Sequence, residues 1–116
     1  MTAPGAAHTK LINDILKAYS DGIHGAHGLV LWRAATGKLL SPDGQRYLYV
    51  GMKGCSDLIG LQRGIGRFVA IECKTGKSRL SDDQKRFRVM VLAMGGIYVE
   101  ARVVEDVGRE LANART

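Results

Sequence analysis

Cysteines, aromatic residues and long apolar runs are all scarce in this 116-residue chain, and each shortage removes a class of protein. Two cysteines, Cys55 and Cys73, cannot build the dense disulfide framework of a small secreted domain. Neither lies in a C-x-x-C redox or zinc pattern, so both read as small buried hydrophobes in a reducing compartment. The longest unbroken apolar run, Val89 to Met94, is far shorter than the roughly 20 residues of a membrane helix, and no membrane partner is expected. The opening Met-Thr-Ala-Pro-Gly-Ala-Ala has neither the basic nor the apolar segment of a signal peptide, so a cytoplasmic location is expected. Aromatics make up 6% of the chain and are thin where its positive charge gathers, which argues against single-strand binding by base stacking. His24 and His27 have no further ligand at zinc spacing.

What is present fits one compact domain over residues 1–116, with 46% hydrophobic and 24% charged residues and no internal repeat. The net charge of +6 is concentrated. Between Lys53 and Arg88 stand nine basic residues against four acidic ones, so that segment carries five of the six net positive charges. A solvated surface kept soluble by charge is one explanation; attraction to phosphate is the better one.

Leu11, Ile12, Ile15, Leu16 and Tyr19 recur at helical spacing and predict an amphipathic helix from about His8 to Ser20. Leu29 to Arg33 reads as a short strand, Ser41-Pro42-Asp43-Gly44 as a turn, and Arg46 to Val50 as a second strand. Two apolar runs, Asp57 to Leu61 and Phe68 to Lys74, flank a glycine-bearing hairpin loop. Phe68 to Ile71 are apolar on both pleat faces, as in a central strand covered on both sides. Ser81-Asp82-Asp83-Gln84 is a capping box that starts a helix, with Phe87, Met90, Val91 and Met94 as its apolar stripe and Gly95-Gly96 as its stop. Ile97 to Ala101 predicts a strand, and Val104 to Ala114 a weaker closing helix interrupted by Gly108. The order of helix, strands, helix, strand, helix predicts an α/β domain with a central mixed sheet flanked by helices. Helices separated by strands disfavour a helix-turn-helix regulator.

Chemistry gathers at one end of the proposed hairpin. Glu72 and Lys74 are two apart and project from one face, with Cys73 turned to the other. Counting outward from the loop, Leu61 opposes Phe68 and Asp57 opposes Glu72, so two carboxylates meet across the pair. Such acids repel unless a cation lies between them. Oxygen ligands without a thiolate pattern favour Mg²⁺ or Mn²⁺, which bind a phosphoryl oxygen and lower the pKa of a coordinated water. Lys74 could orient or deprotonate that water, or stabilise developing charge. Taken alone, the E-x-K pair also reads as an ordinary ion pair at a strand end. Two other motifs fail: Thr75-Gly76-Lys77-Ser78 would need its first P-loop glycine at Ile71, and Gly64-Ile65-Gly66 lacks the third glycine of a dinucleotide site.

Gly54-Cys55-Ser56-Asp57-Leu58-Ile59-Gly60, Phe68 to Lys74 and Leu80-Ser81-Asp82-Asp83-Gln84, in that order, resemble the VRR-NUC branch of the PD-(D/E)xK nuclease superfamily. The resemblance spans about Lys53 to Val104, with looser agreement at Trp32-Arg33-Ala34-Ala35-Thr36-Gly37. It implies a restriction-endonuclease-like core. By the same resemblance, Asp57, Glu72 and the main-chain carbonyl of Cys73 hold the metal, Lys74 is catalytic, and Gln84 is the helix glutamine near the centre. Ser56 would support the loop or meet a phosphate. Lys53, Lys77, Arg79, Lys85 and Arg88 would complete the DNA contacts.

Many members also place a glutamate on the first helix, and this helix has none. His8, Asn13 and Asp14 are the available substitutes, Asp14 by its chemistry and His8 by its place. Stand-alone members resemble Holliday-junction resolvases that act as homodimers, so four-way or other branched DNA is the implied substrate, in a bacterial or phage-infected cell. A nickase or flap nuclease working with a helicase is an alternative. A DNA-binding module that has lost catalysis is another.

Overall fold

The computed structural model describes residues 5–20 and 28–114, so His24 and His27 lie outside the described residues. Helix α1 (Ala6–Tyr19) buries Leu11, Ile12 and Ile15, the stripe that its periodicity predicts. Strand β1 (Leu29–Arg33) follows, then β2 (Gly37–Leu40), β3 (Tyr47–Val50), β4 (Leu58–Gln62) and β5 (Phe68–Cys73). Helix α2 (Asp82–Ala93), β6 (Ile97–Ala101) and α3 (Glu105–Asn113) complete the domain.

Four strands form the main sheet in the order β1-β4-β5-β6. β4 is antiparallel to both β1 and β5, while β5 and β6 run parallel and are joined through α2, giving a mixed α/β sheet flanked by helices. β5 is central, and five of its six residues are buried, as its two-sided apolarity requires. Leu58, Ile71 and Val99 face the α1 and α3 side, where Ile12, Ile15 and Val107 join them in the larger core. Ala70 and Tyr98 face the other side and pack with Leu80, Phe87 and Val91 beside α2.

Two sequence expectations are corrected, and one strand lies where none was expected. Gly37–Leu40 is a strand that pairs with β3 in a separate two-stranded sheet, with all of β3 exposed. Of the expected apolar stripe of α2 only Phe87 and Val91 are buried: Met90 is exposed, and Met94 is the helix's C-cap residue and 84% exposed. Gly108 does not interrupt the last helix, which runs unbroken through it; a Cβ there would stand 3.1 Å from the Tyr19 hydroxyl, so its smallness lets α3 approach α1.

Candidate active site

The hairpin register sets the site. Leu61 pairs with Phe68 and Leu58 with Ile71, which brings Asp57, one residue before β4, level with Glu72. Here side chains replace the ladder. The Asp57 amide donates to Glu72 Oε2 at 3.1 Å, and the Cys73 amide donates to Asp57 Oδ2 at 2.9 Å. The Ala34 amide donates to the Asp57 carbonyl at 3.0 Å and ties the end of β1 to the same point.

Glu72 is only 4% exposed, although it is a carboxylic acid. Its Oε1 accepts from Gln84 Nε2 at 2.8 Å and lies 3.6 Å from Lys74 Nζ. Burial above all, and then the charge of Asp57, push its pKa up to about 7, against the pull of Lys74. Beneath it, burial likewise raises the Tyr98 hydroxyl to about 12. The Cys73 side chain points into the core on the opposite face, where burial pushes its thiol up to about 12, far from a reactive thiolate.

Helix α2 delivers Gln84 through its cap. Ser81 Oγ accepts from the Gln84 amide at 3.2 Å, while Gln84 Oε1 accepts from the Ser81 amide at 2.8 Å. One carboxamide thus closes the capping box with its oxygen and holds Glu72 with its nitrogen. Gly54 lets this happen. It has φ of +79°, and a Cβ there would stand 2.1 Å from the Asp83 carbonyl oxygen, so only glycine lets the loop before Asp57 lie against the start of α2.

Of the three substitutes on the first helix, His8 alone reaches the acids, with Nε2 3.0 Å from Asp57 Oδ2. Asp14 is held by Lys10 at 2.5 Å, and Asn13 is exposed, so neither takes that place. Ser56 is 1% exposed, its hydroxyl turned inward beside that of Tyr98.

Arg79, Lys85 and Arg88 line one cleft of about 360 Å³ with Leu80, Glu100 and Arg102. Lys77 is exposed in the adjoining loop, whereas Lys53 is exposed apart from them, its ammonium 5.8 Å from the Tyr49 ring centre. Arg102 is a residue that sequence reasoning missed. It donates to the Gly76 and Ser78 carbonyls at 3.2 and 2.5 Å and so shapes the basic loop. It lies beyond the basic segment in sequence, and no local pattern marks it.

Among the described residues no three His, Cys, Asp or Glu side chains form a ready metal cage. The donors nonetheless suit a hard divalent ion that keeps part of its water shell. Asp57 Oδ1 accepts no hydrogen bond among the described residues, and Glu72 lies level with it across the hairpin. In comparisons with known proteins, the family described as VRR-NUC domain matches residues 2–105. No curated protein matches the chain.

Proposed function

Because the chain belongs to the VRR-NUC family and is therefore a nuclease domain, we propose that it is a divalent-metal-dependent endonuclease that hydrolyses DNA phosphodiester bonds at Asp57, Glu72 and Lys74. The observation that carries this reading is the juxtaposition of the two acids at one sheet end, where the Asp57 amide donates to Glu72 Oε2 and the Asp57 carboxylate accepts from the Cys73 amide, with Lys74 Nζ 3.6 Å from Glu72.

Asp57, Glu72 and the Cys73 carbonyl would hold Mg²⁺ or Mn²⁺, which supplies charge neutralisation at the phosphoryl group and an acidified water. Asp57 is fixed by the Cys73 amide, and Glu72 by Gln84 and the Asp57 amide, so both carboxylates are oriented before substrate arrives. Lys74, nearly buried beside Glu72, offers a positive charge and a proton at Nζ to the scissile phosphate or its water. Arg79, Lys85 and Arg88 in their cleft, with Lys77 beside it and Lys53 further off, attract the flanking phosphates.

The substrate proposed is branched DNA, a four-way junction foremost. A homodimer in the cytoplasm of a bacterial or phage-infected cell would cut it with one active site per strand. Incubating pure protein with a four-way junction, a flap and a linear duplex in Mg²⁺ or Mn²⁺ tests this. Paired symmetric cuts confined to the junction are expected. Preferential cutting of the flap, or nicking that needs a helicase, would replace junction resolution. Binding without cleavage in either metal would make the chain a DNA-binding module.

A further inference from the structure

Three cations of the basic cleft have no protein partner. The side chains of Arg79, Lys85 and Arg88 form no hydrogen bond or ion pair among the described residues, yet they line one hollow of about 360 Å³ with Arg102. A single acid stands among them. Glu100 belongs to the same lining, and its Oε1 accepts from Arg102 at 3.2 Å. That contact is not what holds Arg102. The Gly76 and Ser78 carbonyls already accept from its guanidinium, and the side chains of Arg102 and Glu100 are 41% and 34% exposed. A pair so open to water adds little stability.

Glu100 also stands where an acid is costly. In the parallel pairing of β5 with β6 it lies beside Glu72, and the pleat puts both on the face that packs toward α2, two residues beyond Ala70 and Tyr98. Like charges in neighbouring register repel. The same register sets the distance to the chemistry, since the cleft begins one strand over from Glu72, about 4.8 Å along the sheet. Helix α2 serves both places: Gln84 reaches Glu72, while Lys85 and Arg88 line the cleft.

We propose that this cleft is the subsite for a flanking DNA phosphate and that Glu100 is its internal competitor, an anion that the phosphate must displace from Arg102. The proposal rests on the nuclease reading and deepens it. Arg79, Lys85 and Arg88 attract the backbone, and Glu100 subtracts from that attraction in substrate, transition state and product alike. A loss of binding shared by all three raises KM without lowering kcat. Glu100 thus restrains the hold on any DNA backbone, and strands that make few other contacts leave.

The test compares the full chain as wild type, Glu100→Gln and Glu110→Gln. Glu110 lines a separate cleft with Arg67 near the start of β6, so its variant removes the same charge away from the proposed subsite. Binding to a linear duplex is titrated in chelator at several salt concentrations, and cleavage of a four-way junction is followed in Mg²⁺ or Mn²⁺. Glu100→Gln is expected to tighten binding about three- to tenfold and to steepen the salt dependence by about one unit of slope, as one more phosphate contact would. Its KM should fall by a similar factor with no rise in kcat. Glu110→Gln should change binding by less than about twofold. A purely structural Glu100 would give weaker binding, never tighter. Should Glu100→Gln fail to fold, Glu100→Ala decides in its place. Unchanged or weaker binding in Glu100→Gln, or equal tightening in both variants, overturns the role of Glu100 and leaves the nuclease reading standing. Wild type that binds DNA without cutting it overturns that reading alone, since the titrations in chelator still decide on Glu100. Wild type that neither binds nor cuts DNA overturns both.

Discussion

Glu72 couples protonation and stability in one side chain. Its folded pKa of about 7 lies above the ordinary 4.5, chiefly because it is buried and secondly because Asp57 is charged. Between those values the folded state holds a proton that the unfolded chain has released. This contribution to stability is therefore complete below about pH 4.5 and lost as pH rises through about 7. Metal-free protein should lose on the order of 3 kcal/mol from this group between pH 5 and 8, and Glu72→Gln should lose far less. Denaturant melts of both proteins in chelator measure it; parallel pH profiles would contradict the shift. A bound divalent ion should restore the loss in wild type, because it binds the ionised, folded form. Gly54 gives a second residue-scale prediction. With φ of +79° and a Cβ destined for the Asp83 carbonyl, Gly54→Ala should cost about 2 kcal/mol or more and reduce cleavage beyond its loss of folded protein. Thermal melts beside specific activity separate the two. Gly54, Asp57, Glu72 and Lys74 were legible as a motif, whereas the choice of His8 over Asp14 was not. One turn of helix decides it, and only the packing of α1 against the sheet shows which side chain meets Asp57.

At the scale of elements, α2 has two duties at its first turn. Ser81 caps the backbone, and Gln84 both completes the cap and holds Glu72. Ser81→Ala should therefore lower stability by about 1 kcal/mol with a modest effect on rate. Gln84→Ala should lower kcat/KM by about tenfold or more, beyond what its loss of stability explains, because Glu72 loses its orienting partner. Melting temperatures and kinetics on the two variants check this, and equal effects on both readouts would reduce Gln84 to a cap. The capping box, the hairpin register and β6 were readable because each rests on local chemistry: a hydroxyl three residues from a carboxamide, a loop with glycines, a run of apolar residues between stops. β2 was not, since its four residues make no core contact that imposes an alternating pattern. Met94 was misplaced for a related reason: α2 ends there, and a residue at the cap leaves the helical stripe.

Across the whole molecule, positive charge gathers in one cleft and exposed apolar surface on the β2–β3 hairpin. Arg79, Lys85 and Arg88 share the cleft with Arg102. Removing Arg79 and Lys85 together should weaken binding to every DNA structure alike and reduce the salt dependence by about one unit of slope per residue. Binding titrations at several salt concentrations measure this, and a loss confined to junctions would instead assign the pair to structure recognition. The β2–β3 hairpin leaves Leu39 58%, Leu40 56% and Tyr47 72% exposed. The charge bias of the segment was plain in the sequence, but its completion by Arg102, brought in from beyond β6, needed the fold.

The claim on which the rest depends is that Asp57 and Glu72 share one divalent ion at the end of the hairpin. Anomalous scattering from crystals of the protein soaked in Mn²⁺ tests it most directly. The expected result is one strong peak within about 2 Å of a carboxylate oxygen from each acid. A fully soaked crystal with no peak between Asp57 and Glu72, or with its peak elsewhere on the chain, would contradict it.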